Sequence, residues 1–190
     1  MYKYKKRYIN STKSSTIFDS KGKKVGVVQK YYNNIFEKII GNITFGYFFE
    51  RYLFKDDEDK IIVKSRKLVL SQKRKYILSY FDANYKEYNE VYLNKKEKFN
   101  REKIGLFEYE NHLFTVSVDK KEHCKMIDTK DNNEVASWNQ RGDYIYLKLK
   151  GSFVEKHKLF TIAILHTFSN NNIYYNHADI TRPPIGPPLM

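Results

Sequence analysis

The chain has 190 residues and a formal net charge of +13, from 35 Lys and Arg against 22 Asp and Glu. The length suits one domain, and a hydrophobic share of 41% is enough to fill a core. The single cysteine, Cys124, excludes an intramolecular disulfide and a cysteine metal cluster.

The opening is basic but lacks the apolar stretch of a secretory signal. No apolar run reaches the ~18 residues of a transmembrane helix. A cytoplasmic protein is expected, at most peripheral to a membrane. The positive excess suits an anionic membrane surface, an acidic protein or nucleic acid, or simply a solubilising surface. The aromatic share of 16%, nearly all Tyr and Phe, favours strands.

Residues 1–15 alternate Tyr2, Tyr4 and Tyr8 with Lys3, Lys5, Lys6 and Arg7, and add Lys13. This reads either as an edge strand with aromatics on one face or as a basic tail. A hairpin follows, Thr16-Ile17-Phe18 to Lys23–Val28, turning at Asp19–Gly22 with Gly22 at positive φ. Ile35, Phe36, Ile39 and Ile40 have helical spacing, and Asn33 or Asn34 can cap a short helix. Thr44 to Phe54 reads as a strand, and Lys55–Lys60 as a charged turn. Strands are then expected at Ile61–Val63, Lys67–Leu70, Tyr76–Tyr80 and Lys86–Leu93, with a turn at Asp82–Asn84 and a solvated loop at Asn94–Lys98.

From Ile104 the pattern sharpens. Strands are expected at Ile104–Tyr109, His112–Val118, His123–Asp128, Glu134–Trp138 and Tyr144–Lys150. The turns between them are Glu110-Asn111, Asp119–Glu122, Thr129–Asn133 and Asn139–Gly142. Then Ser152-Phe153-Val154-Glu155 forms an S-x-x-E capping box before one helix over 153–169. Leu159, Phe160, Ile162, Ala163, Ile164, Leu165 and Phe168 leave that helix no polar stripe. A helix apolar all round is buried in protein or lipid. This one is too short to span a bilayer, so sheet must enclose it. A last strand at Ile173–Tyr175 and a Pro-rich tail over 179–190 complete the reading.

The order of these elements resembles the tubby C-terminal domain superfamily, which includes the LURP-one-related proteins and the phospholipid scramblases. Leu113–Val116, Met126–Asp128, Thr129–Asn133, Glu134–Ala136, Tyr144–Lys150 and Leu159–Phe168 carry the likeness, with the hairpin Phe18–Val25 similar to the family's early turns. The resemblance implies a mainly β fold: a closed antiparallel barrel of about twelve strands enclosing a hydrophobic C-terminal helix. That barrel would occupy residues 16–178. It also implies lipid binding through clustered Lys and Arg, although no cluster matches position by position.

Site chemistry is sparse. No P-loop, dinucleotide fingerprint, nucleophile elbow or zinc-helix motif occurs, so no catalytic, cofactor-binding or metal residue is assigned and an enzyme is not expected. Asp56-Asp57-Glu58-Asp59 lacks the spacing and glycine of a calcium loop. Cys124 and His123 are neighbours on a strand, so they point to opposite faces. His166, within the helix, is expected to bond to barrel backbone. Lys3, Lys5, Lys6, Arg7 and Lys13 remain as the candidate anion- or lipid-binding residues of a non-enzymatic binding or scaffold module. Tyr residues interleaved with them offer headgroup-level anchors or stacking platforms for nucleic acid.

Overall fold

The computed structural model describes residues 1–7, 11–44, 49–68, 75–81, 88–97, 103–119 and 123–169. Twelve antiparallel strands close into a barrel. They are β1 (Tyr2–Lys5), β2 (Ser15–Asp19), β3 (Lys24–Lys30), β4 (Arg51–Lys55), β5 (Ile61–Leu68) and β6 (Lys75–Phe81). They continue with β7 (Tyr88–Glu97), β8 (Lys103–Tyr109), β9 (His112–Val118), β10 (Cys124–Asp128), β11 (Asn133–Arg141) and β12 (Tyr144–Leu149). Helix α1 (Ile35–Ile43) stands between β3 and β4, and α2 (Ser152–Lys156) and α3 (Lys158–Ser169) follow β12. Each strand pairs with its sequence neighbours, and β1 closes the ring by pairing with both β12 and β2. The N-terminal strand is therefore not an edge, because a closed barrel has none.

Hairpin chemistry repeats around one rim. Asp19 accepts N–H bonds from Lys21 and Lys23, and Asp56 accepts them from Glu58 and Lys60. In each turn the fourth residue, Gly22 or Asp59, takes positive φ. The strand register then shifts by one residue, between Ile17 and Phe18 and between Phe54 and Lys55. This is a turn followed by a left-handed residue and a bulge, which matches the right-handed twist of the flanking strands. The acidic run at Asp56 thus serves the turn. Glu110 and Asn111, both at positive φ, form the tight two-residue turn between β8 and β9.

Inside the barrel lies α3, buried at every residue from Leu159 to Ser169. It packs against β4, β5 and β6 on one side and β9, β10 and β11 on the other. The helix bonds its own backbone, so the lumen supplies mostly apolar contact, with Tyr4 and Ser65 as side-chain partners for His166 and Thr167. Two strand glycines admit it. A Cβ at Gly26 would lie 2.8 Å from Leu159 Cδ2, and one at Gly105 would lie 2.7 Å from Phe168 Cε2.

Several boundaries differ from the sequence reading. The single helix over 153–169 is two, broken at His157 (φ −103°, ψ 36°), whose ring is held by the Tyr80 hydroxyl. Ser152 is not the cap: Gly151, at φ 100°, takes that place without a side-chain bond, and Ser152 is already helical. Glu155 accepts from the Tyr2 hydroxyl at 2.5 Å instead of reaching back to a cap. Lys67 and Leu68 continue β5 rather than start a new strand, and Asn94–Glu97 extend β7 rather than form a loop. Asn139–Arg141 belong to β11, so the turn narrows to Gly142-Asp143. In each case pairing with a neighbour already in place outweighs the local turn preference. Helix α1 runs to Ile43, β4 opens at Arg51, and residues 45–48 of the strand expected from Thr44 lie outside the described residues. The turn at 82–84, the strand at 173–175 and the tail at 179–190 lie outside the described residues.

Candidate functional site

Strand register sorts the charges onto two barrel ends. Ser15 pairs with Val28, Lys30 with Tyr52, Arg51 with Arg66, and Lys5 with Tyr144. One end therefore gathers Lys5, Lys6 and Arg7 after β1, Lys13 before β2, Lys30 closing β3, Arg51 opening β4, and Arg66 and Lys67 late in β5. Among the described residues its acids are Glu37, Glu50, Glu97, Asp119 and Asp143. The opposite end interleaves Asp19, Asp56, Asp57, Glu58, Asp59, Glu110, Asp128, Asp131, Glu134 and Glu155 with Lys21, Lys23, Lys24, Lys55, Lys60, Lys130, Lys150, Lys156 and Lys158. The positive excess is thus concentrated at one end.

The five candidate residues divide. Lys3 is exposed on the outer wall opposite Tyr146, away from the basic end. Lys5 is exposed and lies 4.0 Å from Asp143. Lys6 donates to Gln140 Oε1. Arg7 folds onto its own loop, donating to the Ser14 carbonyl at 2.8 Å and to Ser15 Oγ at 3.0 Å. Lys13 is exposed, on a loop tied to β3 by the Gln29 side chain, which donates to the Thr12 carbonyl at 3.1 Å. Lys5, Lys6, Arg7 and Lys13 thus share one end, and Lys3 does not. Lys13, Lys38 and Arg66 have no ion-pair partner among the described residues.

The tyrosines do not accompany them. Tyr2 and Tyr4 alternate inward and are buried. Tyr4 shares a 2.7 Å hydrogen bond with His166 Nδ1, so this histidine's Nδ1 partner is a side chain, not the expected backbone. Burial, helped by the positive charge of Lys6, pushes His166 down to about 3 and keeps the ring neutral near pH 7. Tyr2 and Tyr4 staple β1 to the plug and face neither lipid nor bases; Tyr8 lies outside the described residues.

Beside the basic end stands α1, the feature the sequence reading left undeveloped. Asn34 Oδ1 caps it, accepting from the Glu37 N–H at 2.8 Å. Glu37 faces the barrel, paired with Arg51 at 2.9 Å and accepting from the Asn33 N–H. Gly41, one turn on, is the helix's single buried residue, and a Cβ there would meet the Tyr32 ring at 2.6 Å. Ile35, Phe36, Ile39, Ile40 and Ile43 occupy the other face and are 43–72% exposed. A surface helix ordinarily turns its apolar stripe inward; α1 does the reverse. The spacing separates the two faces, Glu37 and Gly41 on one and the isoleucines on the other, but does not say which of them the barrel takes.

A second basic feature lies on the outer wall. A groove of about 420 Å³ over β10, β11 and β12 is lined by Lys125, Arg141, Tyr146 and Lys148. Glu134 also lines it and pairs with Lys125 and Lys150, so part of its charge is spent internally. His112 and His123 are each paired with an aspartate, Asp128 and Asp119. Cys124 is fully buried, and burial raises its thiol well above the usual range, away from thiolate chemistry.

No described helix is long and apolar enough to cross a membrane. No curated protein and no solved structure matches this sequence. The family model of the Tubby C-terminal like domain matches residues 2–170, from the first strand to just past the enclosed helix. A twelve-stranded barrel threaded by an apolar helix agrees with that match, and the chain belongs to the Tubby C-terminal like domain family.

Proposed function

We propose that this protein is a non-enzymatic binding module that associates reversibly with anionic lipid headgroups at a membrane surface. Tubby-like domains fit lipid-binding or scaffold modules in general. The observation that carries the reading here is the gathering of Lys5, Lys6, Arg7, Lys13 and Arg66 at one barrel end while the other end is mixed. Each cation near an anionic leaflet adds about 1 kcal/mol, attenuated by salt. A cytoplasmic protein held peripherally at the membrane follows from this reading.

The inward turn of Tyr2 and Tyr4 weighs against stacking on nucleic-acid bases, which needs exposed rings. An acidic protein partner uses the same cations but has no separate observation in its favour.

Co-sedimentation with phosphatidylserine-containing vesicles, and not with phosphatidylcholine alone, is the expected result. The triple variant Lys13→Glu/Lys38→Glu/Arg66→Glu should weaken recovery by about 100-fold or more, since three exposed contacts are each reversed. Equal recovery with both vesicle types would remove the proposal. A salt-steep gel shift with single-stranded nucleic acid, without vesicle binding, would replace it.

A further inference from the structure

We propose that α1 is a membrane wedge: on an anionic bilayer its outward stripe of Ile35, Phe36, Ile39, Ile40 and Ile43 enters the boundary between headgroups and acyl chains. The inference rests on the lipid-surface reading above and adds how the protein sits there. Its basis is the inverted helix. The polar and small residues Glu37 and Gly41 hold α1 to Arg51 and Tyr32, and every large apolar side chain points away. Five adjacent exposed apolar side chains on one short helix form the kind of patch that marks a binding surface.

Charge complementarity selects the occupant. The helix leaves the barrel after Lys30 and returns at Arg51, so it stands at the end that carries Lys5, Lys13 and Arg66. Lys38 is exposed on the helix itself. An apolar helix stripe at a cationic end of the molecule is the combination found in helices that lie in the plane of an anionic interface. Its relief is convex, a single helix face. A protein partner would need a matching groove, whereas the headgroup boundary accepts such a face without one. The anchor through Glu37 and Gly41 keeps the stripe outward before binding, so the helix need not fold on contact.

The test uses the full chain with Ile39→Cys, labelled with an environment-sensitive fluorophore; Cys124 is fully buried and does not compete for the label. On phosphatidylcholine–phosphatidylserine vesicles the emission should shift to the blue and be quenched by lipids brominated on the acyl chain. A label at Lys21→Cys, on the opposite barrel end, should stay aqueous. Phe36→Ser/Ile39→Ser/Ile43→Ser should keep the wild-type melting temperature and lower vesicle partitioning by at least about 30-fold. If the chain binds these vesicles while the Ile39→Cys label stays aqueous and the triple serine variant binds equally, the wedge falls and the lipid-surface reading stands. If no vesicle is bound, both fall. A wild-type dimer that the triple serine variant converts to monomer, without quenching by lipid, would assign the stripe to a second copy and overturn the wedge.

Discussion

Two helices of this barrel have opposite relations to water. Helix α3 is apolar all round and buried at every residue from Leu159 to Ser169, with strands on both sides. Helix α1 is richer in isoleucine, with four in nine residues against two in twelve, yet its only buried residue is Gly41. Composition therefore does not decide which helix becomes core. The neighbours do: α3 finds a lumen with glycines at Gly26 and Gly105 to admit it, while α1 meets the barrel through an Arg51 ion pair and a tyrosine ring. One helix builds the fold, and the other is left available for a partner.

The same substitution in both helices gives the widest contrast. Ile162→Asp places a charge with no designed partner at a fully buried site, and should cost more than about 4 kcal/mol, a large part of a domain's stability. Little or no soluble folded protein is expected by circular dichroism and gel filtration. Ile39→Asp, at a site 49% exposed, should change stability by less than about 0.5 kcal/mol in urea unfolding. A folded, normally melting Ile162→Asp variant would refute the enclosed plug.

Acid probes the plug next. His166 is neutral in the folded state down to about 3, whereas the unfolded ring takes a proton near 6.5. Between those values the unfolded state binds more protons, so stability falls as pH drops, by up to about 1.4 kcal/mol per unit. Urea midpoints at pH 7, 5 and 4, compared with those of His166→Gln, should show a shallower acid loss in the variant. Parallel curves would mean that the histidine is not what acid titrates.

A smaller loss is expected where β3 runs close to both β4 and the enclosed helix. Gly26→Ala brings a Cβ to 2.5 Å from the Lys55 carbonyl oxygen, a backbone atom that cannot rotate away. A cost of about 1–3 kcal/mol is expected from thermal unfolding. Smaller again is the loss from Glu37→Ala, which frees α1 from Arg51 at about 1 kcal/mol and leaves the barrel intact. Faster hydrogen exchange confined to α1 would show it; exchange spreading into β3 and β4 would mean that the helix supports the wall.

Much of the molecule was legible in the chain. The alternation of HLFTVSV and YIYLKL, the Asp and Gly turn residues, and the all-apolar run after Ser152 are local signals, and the structure realises each of them. The S-x-x-E box misled because Gly151 was free to take positive φ and move the helix start by one residue. Of the candidate site, the basic residues were visible, but their division was not. Lys3 and Lys5 are two residues apart on one strand, and only the pairing of β1 with β12 and β2 places one along the wall and the other at the basic end.

By itself the sequence determined the element types, the apolar rod and the excess of positive charge, because backbone propensity, turn chemistry and side-chain period act within a few residues. Tertiary structure alone decided that Tyr2 and Tyr4 turn inward, that the cations converge from β1, β3, β4 and β5, and that the apolar face of α1 looks outward. These are relations between segments far apart in the chain. They are fixed by which strand closes the ring and by what each helix finds to pack against, and no local pattern encodes either.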